Sequence, residues 1–272
     1  MTVSDAKSYN DILQMVKDGQ VHVSRNWLQG RAGYGGLMAA IAAEHMYKSQ
    51  DDSRPIRSFM GTFVAPAPAD ILTVETTSLR QGRNVSQLST SITSPDGQVC
   101  FQAMGAFGTA RETEANIDHH FPMQAEDRNS LPPMPKRPLE PADSLPPVFL
   151  NNFQVHWTGG GFPMSGKKDR RVGMWVKHEN PVKSTAAAAM LAIGDIAPAA
   201  VMSHYTKPIR ISSLTWSVEF VEPADQIDGS GWFYLDYRAD AAAGGYSQQS
   251  GTIHSEDGTL IALSRQCMCY FD

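Results

Sequence analysis

Two stretches of the chain are apolar almost all the way round, and much of the rest alternates. After Gly35-Gly36 the run LMAAIAAEHMYKS places Leu37, Met38, Ile41, Ala42 and Met46 at helical spacing with little polar face. After Pro181 the run VKSTAAAAMLAIGDIAP is continuously apolar from Ala186 to Ile193, with Ser184 or Thr185 as its cap. A helix without a polar stripe must be wrapped on several sides. The alternating segments supply the wrapping. Residues 86–97 lead through a Pro-Asp-Gly turn into the apolar run 99–107, and residues 247–258 lead through Glu-Asp-Gly into 260–271, so each reads as a β-hairpin with a short turn.

The two hairpins are copies. SQLSTSITSPDG (86–97) and SQQSGTIHSEDG (247–258) agree at seven of twelve positions, where unrelated segments agree at about one. Upstream, FVAPA (63–67) matches FVEPA (220–224), each ending a strand at its proline. One buried helix and about five strands per half, in the order strand, helix, antiparallel strands, describes a sheet curled around its helix. Eight of the 17 prolines lie between Pro122 and Pro147, in a stretch that is a linker or extended strap and not an element interior. The expected organisation is therefore a first repeat over 1–110, a proline-rich strap over 111–147 and a second repeat over 148–272.

Composition narrows the function. In 272 residues, 23 Lys and Arg stand against 28 Asp and Glu, a net charge of -5 without the basic surplus that nucleic-acid binding uses. The N-terminal run carries Asp and Lys where a secretory signal needs an apolar core, and no apolar run approaches the ~20 residues of a membrane helix. The expectation is a soluble, cytoplasmic chain without nucleic-acid or membrane partners. Cys100, Cys267 and Cys269 lack zinc-type spacing and read as buried, reduced strand residues. The eight histidines show no two-ligand spacing on a helix, and His119-His120 sits in the loop region before Pro122. No metal and no histidine catalyst is assigned.

Asp195 is the sharpest candidate for chemistry. It follows a helix with no polar stripe, so it faces protein, where an ionisable group needs either partners or a catalytic task. The alternative is that it simply closes the chain before Pro198. Gln266, in LIALSRQCMCYF, is either an outward strand residue or a buried amide that needs partners for donor and acceptor. The repeat pairs it with Gly105, so the first half lacks that amide, and the first helix has no Asp at the position matching Asp195.

The run NWLQGRAGYGG (26–36) before a small-residue helix, with FVAPAPAD (63–70) and LRQGR (79–83), resembles the acyl-CoA thioesterase II family across nearly the whole chain except the strap. The resemblance implies an α+β double hotdog, two tandem repeats each with a curved antiparallel sheet around a central helix. It implies hydrolysis of acyl-CoA thioesters without a cofactor, and a catalytic Asp at Asp195, matched by Gly194 and Pro198. It also implies a hydroxyl at Ser213, counted back from Phe220 and Pro223, and a last-strand amide at Gln266. Ser212 and Thr215 are the fallbacks for the hydroxyl; Thr215 is expected on the face of Ser213 and Ser212 on the other.

In this reading Asp195 takes a proton from water while Ser213 and Gln266 orient it. Tyr34, Gly35 and Gly36 at a helix N-terminus offer free backbone N–H groups for the developing oxyanion, or else form only a tight turn. Arg31, Arg80 and Arg83 are candidates for coenzyme A phosphates, or for ordinary surface ion pairs. Two other functions compete. A hotdog hydratase or dehydratase requires a His about five residues after its Asp, where this chain has Ala200. A non-catalytic acyl-CoA-binding protein would keep the fold and lose turnover. Exposed sheet edges favour a homo-oligomer, whereas a chain that is internally a pseudo-dimer is complete alone.

Overall fold

The computed structural model describes residues 6–50, 54–115, 117–118, 120–138 and 146–271. His119 and residues 139–145 of the proline-rich stretch lie outside the described residues. The first half holds α1 (Tyr9–Met15), β1 (Gln20–His22), the small pair β2 (Leu28–Gln29) and β3 (Ala32–Gly33), α2 (Gly35–Lys48), β4 (Ile56–Phe63), β5 (Ile71–Gln81), β6 (Val85–Thr93) and β7 (Val99–Gly108). The second holds β8 (Phe153–Gly160), β9 (Arg171–His178), α3 (Ala186–Gly194), β10 (Arg210–Phe220), β11 (Phe233–Ala243), β12 (Tyr246–Ser255) and β13 (Leu260–Phe271).

Eleven strands form one antiparallel sheet in the order β1-β5-β6-β7-β4-β10-β13-β12-β11-β9-β8. Each half therefore has its own meander, and the halves fuse along β4 and β10. The seam is close to a two-fold axis. Met60 and Ser217 face each other across it, and the same displacement that aligns Phe63 with Phe220 aligns Met60 with Ser217.

The irregularities repeat as well. Register shifts between Ser78 and Arg80, between Ile92 and Thr93, and between Ile56 and Ser58 recur between Ala239 and Ala241, between Ile253 and His254, and between Ser213 and Thr215. A β-bulge bends its strand and sharpens the twist, so matching bulges curl both halves at matching places. α2 and α3 lie together inside the curl, fully apolar for most of their length and rich in alanine, which lets the two helices pack directly on each other.

Three details go beyond the sequence pattern. α1 was not expected; Ser8 and Asp11 form a reciprocal capping box that marks its start. The second half contributes six strands to the sheet, not five. Of the cysteines only Cys100 is buried, because Cys267 and Cys269 alternate with Gln266 and Met268 and so take the outer, half-exposed face of β13. The described part of the strap crosses the outer face of the second half: the carbonyls of Phe121, Gln124, Glu126 and Leu131 meet His254, Tyr234, Trp175 and His156 in turn. Among the described residues no helix is long and apolar enough to cross a membrane.

Candidate active site

The site forms where the end of α3 meets the start of α2. The last carbonyls of a helix have no partner within it, and here two buried phenols take them: Tyr34 Oη donates to Ala192 O at 2.7 Å and Tyr237 Oη donates to Gly194 O at 2.6 Å. Asp195, the C-cap, is thereby set in place. At the other helix, the N-cap Tyr34 has no side chain able to cap. The vacancy is filled from the opposite half, since the Gly36 N–H donates to the Asp195 carboxylate. An anion at a helix N-terminus is favoured both by the free N–H groups and by the helix dipole. Gly35 is required by close approach: a Cβ there would lie 2.6 Å from Asp195 Oδ2 and 2.6 Å from Phe63 Cε1.

Gln266 completes the set. It is 5% exposed on the inner face of β13, and its Nε2 donates to Asp195 Oδ1 at 2.9 Å and to Ser213 Oγ at 2.8 Å. The structure thus brings Asp195, Ser213 and Gln266 together. The fallback hydroxyls are elsewhere. Thr215 does not share the face of Ser213, because the bulge at Leu214 reverses the alternation and puts Thr215 on the exposed face, with Trp216 buried beside it. Ser212 is also exposed. The Tyr34 ring is fully buried and stacked on Phe149 at 3.9 Å, its hydroxyl donates to Ala192 O, and its N–H donates to Trp27 O at 2.8 Å, so of the three residues expected to offer backbone N–H groups it has its own already paired.

Burial dominates the electrostatics of Asp195. It raises the carboxyl from its ordinary 3.8 to about 7, against the hydrogen bonds from Gln266 and Gly36, which favour the ionised form. The residue as a whole is partly accessible while its carboxyl lies deep among protein atoms, so its charge is poorly solvated. A carboxylate balanced near neutrality next to an amide and a hydroxyl is equipped to exchange a proton with a bound water.

The first half shows what this place looks like without chemistry. The bulge and hairpin correspondences put Ile56 where Ser213 is and Gly105 where Gln266 is. A Cβ on Gly105 would lie 2.7 Å from Met46 Sδ, so apolar side chains fill the space. A carboxylate survives, which the sequence reading missed. Ten residues past their N-caps, α2 and α3 carry Glu44 and Asp195 respectively. Glu44 Oε2 accepts from Thr185 N and Oγ1, both at 2.9 Å, and Lys48 pairs with Oε1 at 3.2 Å. Counting from the helix starts would have found it. Gln249, the counterpart of Leu88, also escaped notice; it is fully buried directly opposite Gln266.

Of the three arginines, Arg31 lies in the β2–β3 turn just before the start of α2. Arg80 and Arg83 are not brought to the same end. They line a groove of about 420 Å³ with Gly82, Asn84, Val85 and Gln87, beside Arg54, where α2 has ended. A helix of 14 residues separates the two places by about 20 Å. Among the described residues no group of three His, Cys, Asp or Glu side chains could hold a metal ion.

The curled double sheet around two central helices is the double-hotdog architecture. Residues 23–108 match the acyl-CoA thioesterase N-terminal domain and residues 127–270 match the acyl-CoA thioesterase C-terminal domain, so the chain belongs to the acyl-CoA thioesterase family. Among curated protein sequences none matches it. A hot dog fold protein of unknown function from Alicyclobacillus acidocaldarius is similar in structure, with a TM-score of 0.80 at 21% identity over 93% of this chain and 92% of that one. An acyl-CoA thioesterase II from Mycobacterium marinum gives 0.68 at 18% identity over 88% and 90%. The dehydratase domain of PpsC from Mycobacterium tuberculosis, in complex with C12:1-CoA, gives 0.52 at 11% identity over 93% and 92%.

Proposed function

We propose that this protein hydrolyses acyl-CoA thioesters with a water activated by Asp195. The observation that carries this reading is the bridge made by Gln266 Nε2 between Asp195 Oδ1 and Ser213 Oγ, at the N-terminus of α2. Ionised Asp195 takes a proton from water held against the Ser213 hydroxyl, and the water oxygen adds to the thioester carbonyl carbon. The oxyanion is stabilised by the backbone N–H of Gly35 at the start of α2, where the helix dipole favours negative charge. Collapse of the tetrahedral intermediate breaks the C–S bond, and the proton held by Asp195 passes to the departing thiolate. The products are the acid and coenzyme A, with no covalent intermediate on the protein. Arg31, in the turn that precedes the glycines, is the arginine this reading assigns to a phosphate of the substrate.

The hydratase alternative has little support in the residues: Ala200 stands where a His is needed, and its N–H is taken by Gln249 Oε1 at 2.9 Å. The decisive experiment is thiol release from acyl-CoAs of several chain lengths by the parent and by Asp195→Asn. The general-base role requires at least about a hundredfold loss in the variant. Unchanged turnover overturns the mechanism, and binding without turnover in the parent points to a non-catalytic acyl-CoA-binding protein.

A further inference from the structure

The inner face of β12 carries a polar side chain for which the three-residue mechanism has no use. Gln249 is fully buried, and its Oε1 accepts from Ala200 N at 2.9 Å, which ties down the segment following Asp195. That contact decides which end of the amide points away from Ala200. The end left over, Nε2, is a buried donor without a hydrogen-bond partner among the described residues. Directly across the strand pair stands Gln266, whose Nε2 is fully used by Asp195 and Ser213, leaving its Oε1 to accept. Residues directly opposite in an antiparallel pair project from the same face with Cβ atoms about 5 Å apart. A buried donor without a partner therefore faces an amide whose NH2 group is already used, in a place where an unmatched donor is costly.

We propose that Gln249 is a positioning residue for hydrolysis: its Nε2 engages Gln266 Oε1 through one buried water, and so holds the Gln266 NH2 group toward Asp195 and Ser213. The inference rests on the Asp195 mechanism above. The direction of the Gln266 amide matters because a reversed amide would aim its oxygen at the carboxylate and disfavour the ionised form. The ionised carboxylate selects the NH2 end by itself, but a protonated Asp195 can donate to the amide oxygen, and a contact on Gln266 Oε1 then keeps the amide from turning. The titratable groups facing Asp195 are Tyr34 and Tyr237, both pushed up by burial and by Asp195 itself, and both donate their protons to carbonyls of α3. Gly36 N–H faces the carboxylate and not the amide. The repeat agrees, since Leu88 occupies this place in the half that lacks the amide.

The test compares Gln249→Leu, Gln249→Glu and Gln266→Ala, with Gln249→Leu also made in the Gln266→Ala background, measuring kcat, KM and the pH profile on one acyl-CoA. Positioning predicts that Gln249→Leu lowers kcat roughly ten- to a hundredfold with KM little changed. It also predicts that the acid limb moves to higher pH and that the substitution has no further effect once Gln266 is gone. Gln249→Glu still accepts from Ala200 but presents an acceptor in place of the donor, so it is impaired like the leucine variant. Parental kcat and an unmoved acid limb in Gln249→Glu, or multiplicative losses in the double variant, overturn the proposal in favour of a purely structural tie to Ala200. If Gln249→Leu does not fold, as judged by circular dichroism, the glutamate variant decides alone. An inert Asp195→Asn with silent Gln249 variants rejects only this inference, whereas an active Asp195→Asn rejects the mechanism beneath it.

Discussion

Replacing Asp195 by Asn should stabilise the protein at alkaline pH, by an amount that follows from the burial of the carboxylate. The folded chain holds the Asp195 proton up to about pH 7, whereas an unfolded chain releases it near the ordinary 3.8. Between those values the folded state binds the extra proton. The stabilisation is full below the unfolded value and is lost as pH rises through about 7. At 1.4 kcal/mol per tenfold, the interval corresponds to about 4 kcal/mol, an upper figure because the residue is not wholly shielded from solvent. Asparagine carries no charge at any of these pH values, but one of the two donors, Gln266 Nε2 or Gly36 N–H, loses its acceptor, at a pH-independent cost of about 1 kcal/mol.

The variant is therefore expected to be more stable than the parent by less than about 1 kcal/mol at pH 5, rising to about 3 kcal/mol at pH 8. Other titrating groups cancel in the difference between two chains that share them. Urea unfolding followed by tryptophan fluorescence at pH 5, 6, 7 and 8 measures it. A stability difference that stays flat across this range, or that changes only near pH 4, would falsify the claim that Asp195 is held neutral by burial until about pH 7. The kcat/KM of the parent should rise with pH through the same region, because the base acts only when ionised.

Two further outcomes test the geometry around the carboxylate. Gly35→Ala places a methyl 2.6 Å from Asp195 Oδ2 and Phe63 Cε1, so thiol release should fall by at least tenfold and stability by about 1–3 kcal/mol, read from the thermal midpoint. Ser213→Ala should lower kcat while Ser213→Thr retains most of it, and Thr215→Ala, on the exposed face of β10, should leave the kinetics unchanged; a loss confined to Thr215→Ala would show that the bulge has been read on the wrong side.

Much of this molecule is written in local pattern. Two all-apolar helices, two hairpins with seven shared residues and matched prolines before the next strands are enough to argue a duplicated sheet around helices, because burial leaves its mark at each position independently. Asp195 and Gln266 were legible for a related reason: an ionisable or amide group in an apolar context is conspicuous, and for Gln266 the glycine at the matching place in the other repeat makes it more so. The hydroxyl was legible only to within a residue or two. Alternation along β10 predicts the wrong face for Thr215, since a single extra residue in a bulge reverses every side chain beyond it.

What the linear order could not contain is the meeting of the halves. That Tyr34 reaches α3 to hold the carbonyl of Ala192, that Asp195 caps a helix from the other repeat, and that Glu44 does the same in reverse are contacts between residues well over a hundred positions apart. The separation of Arg80 and Arg83 from the site is of the same kind, set by the length of α2 and invisible in their nearness to family-like motifs. The sequence by itself determined which residues are apolar, which repeat and which are chemically out of place. Only the tertiary structure decided which of them meet, because the site lies across a pseudo-two-fold seam, and the position of a side chain across such a seam depends on strand register, bulges and helix contacts contributed by both copies at once.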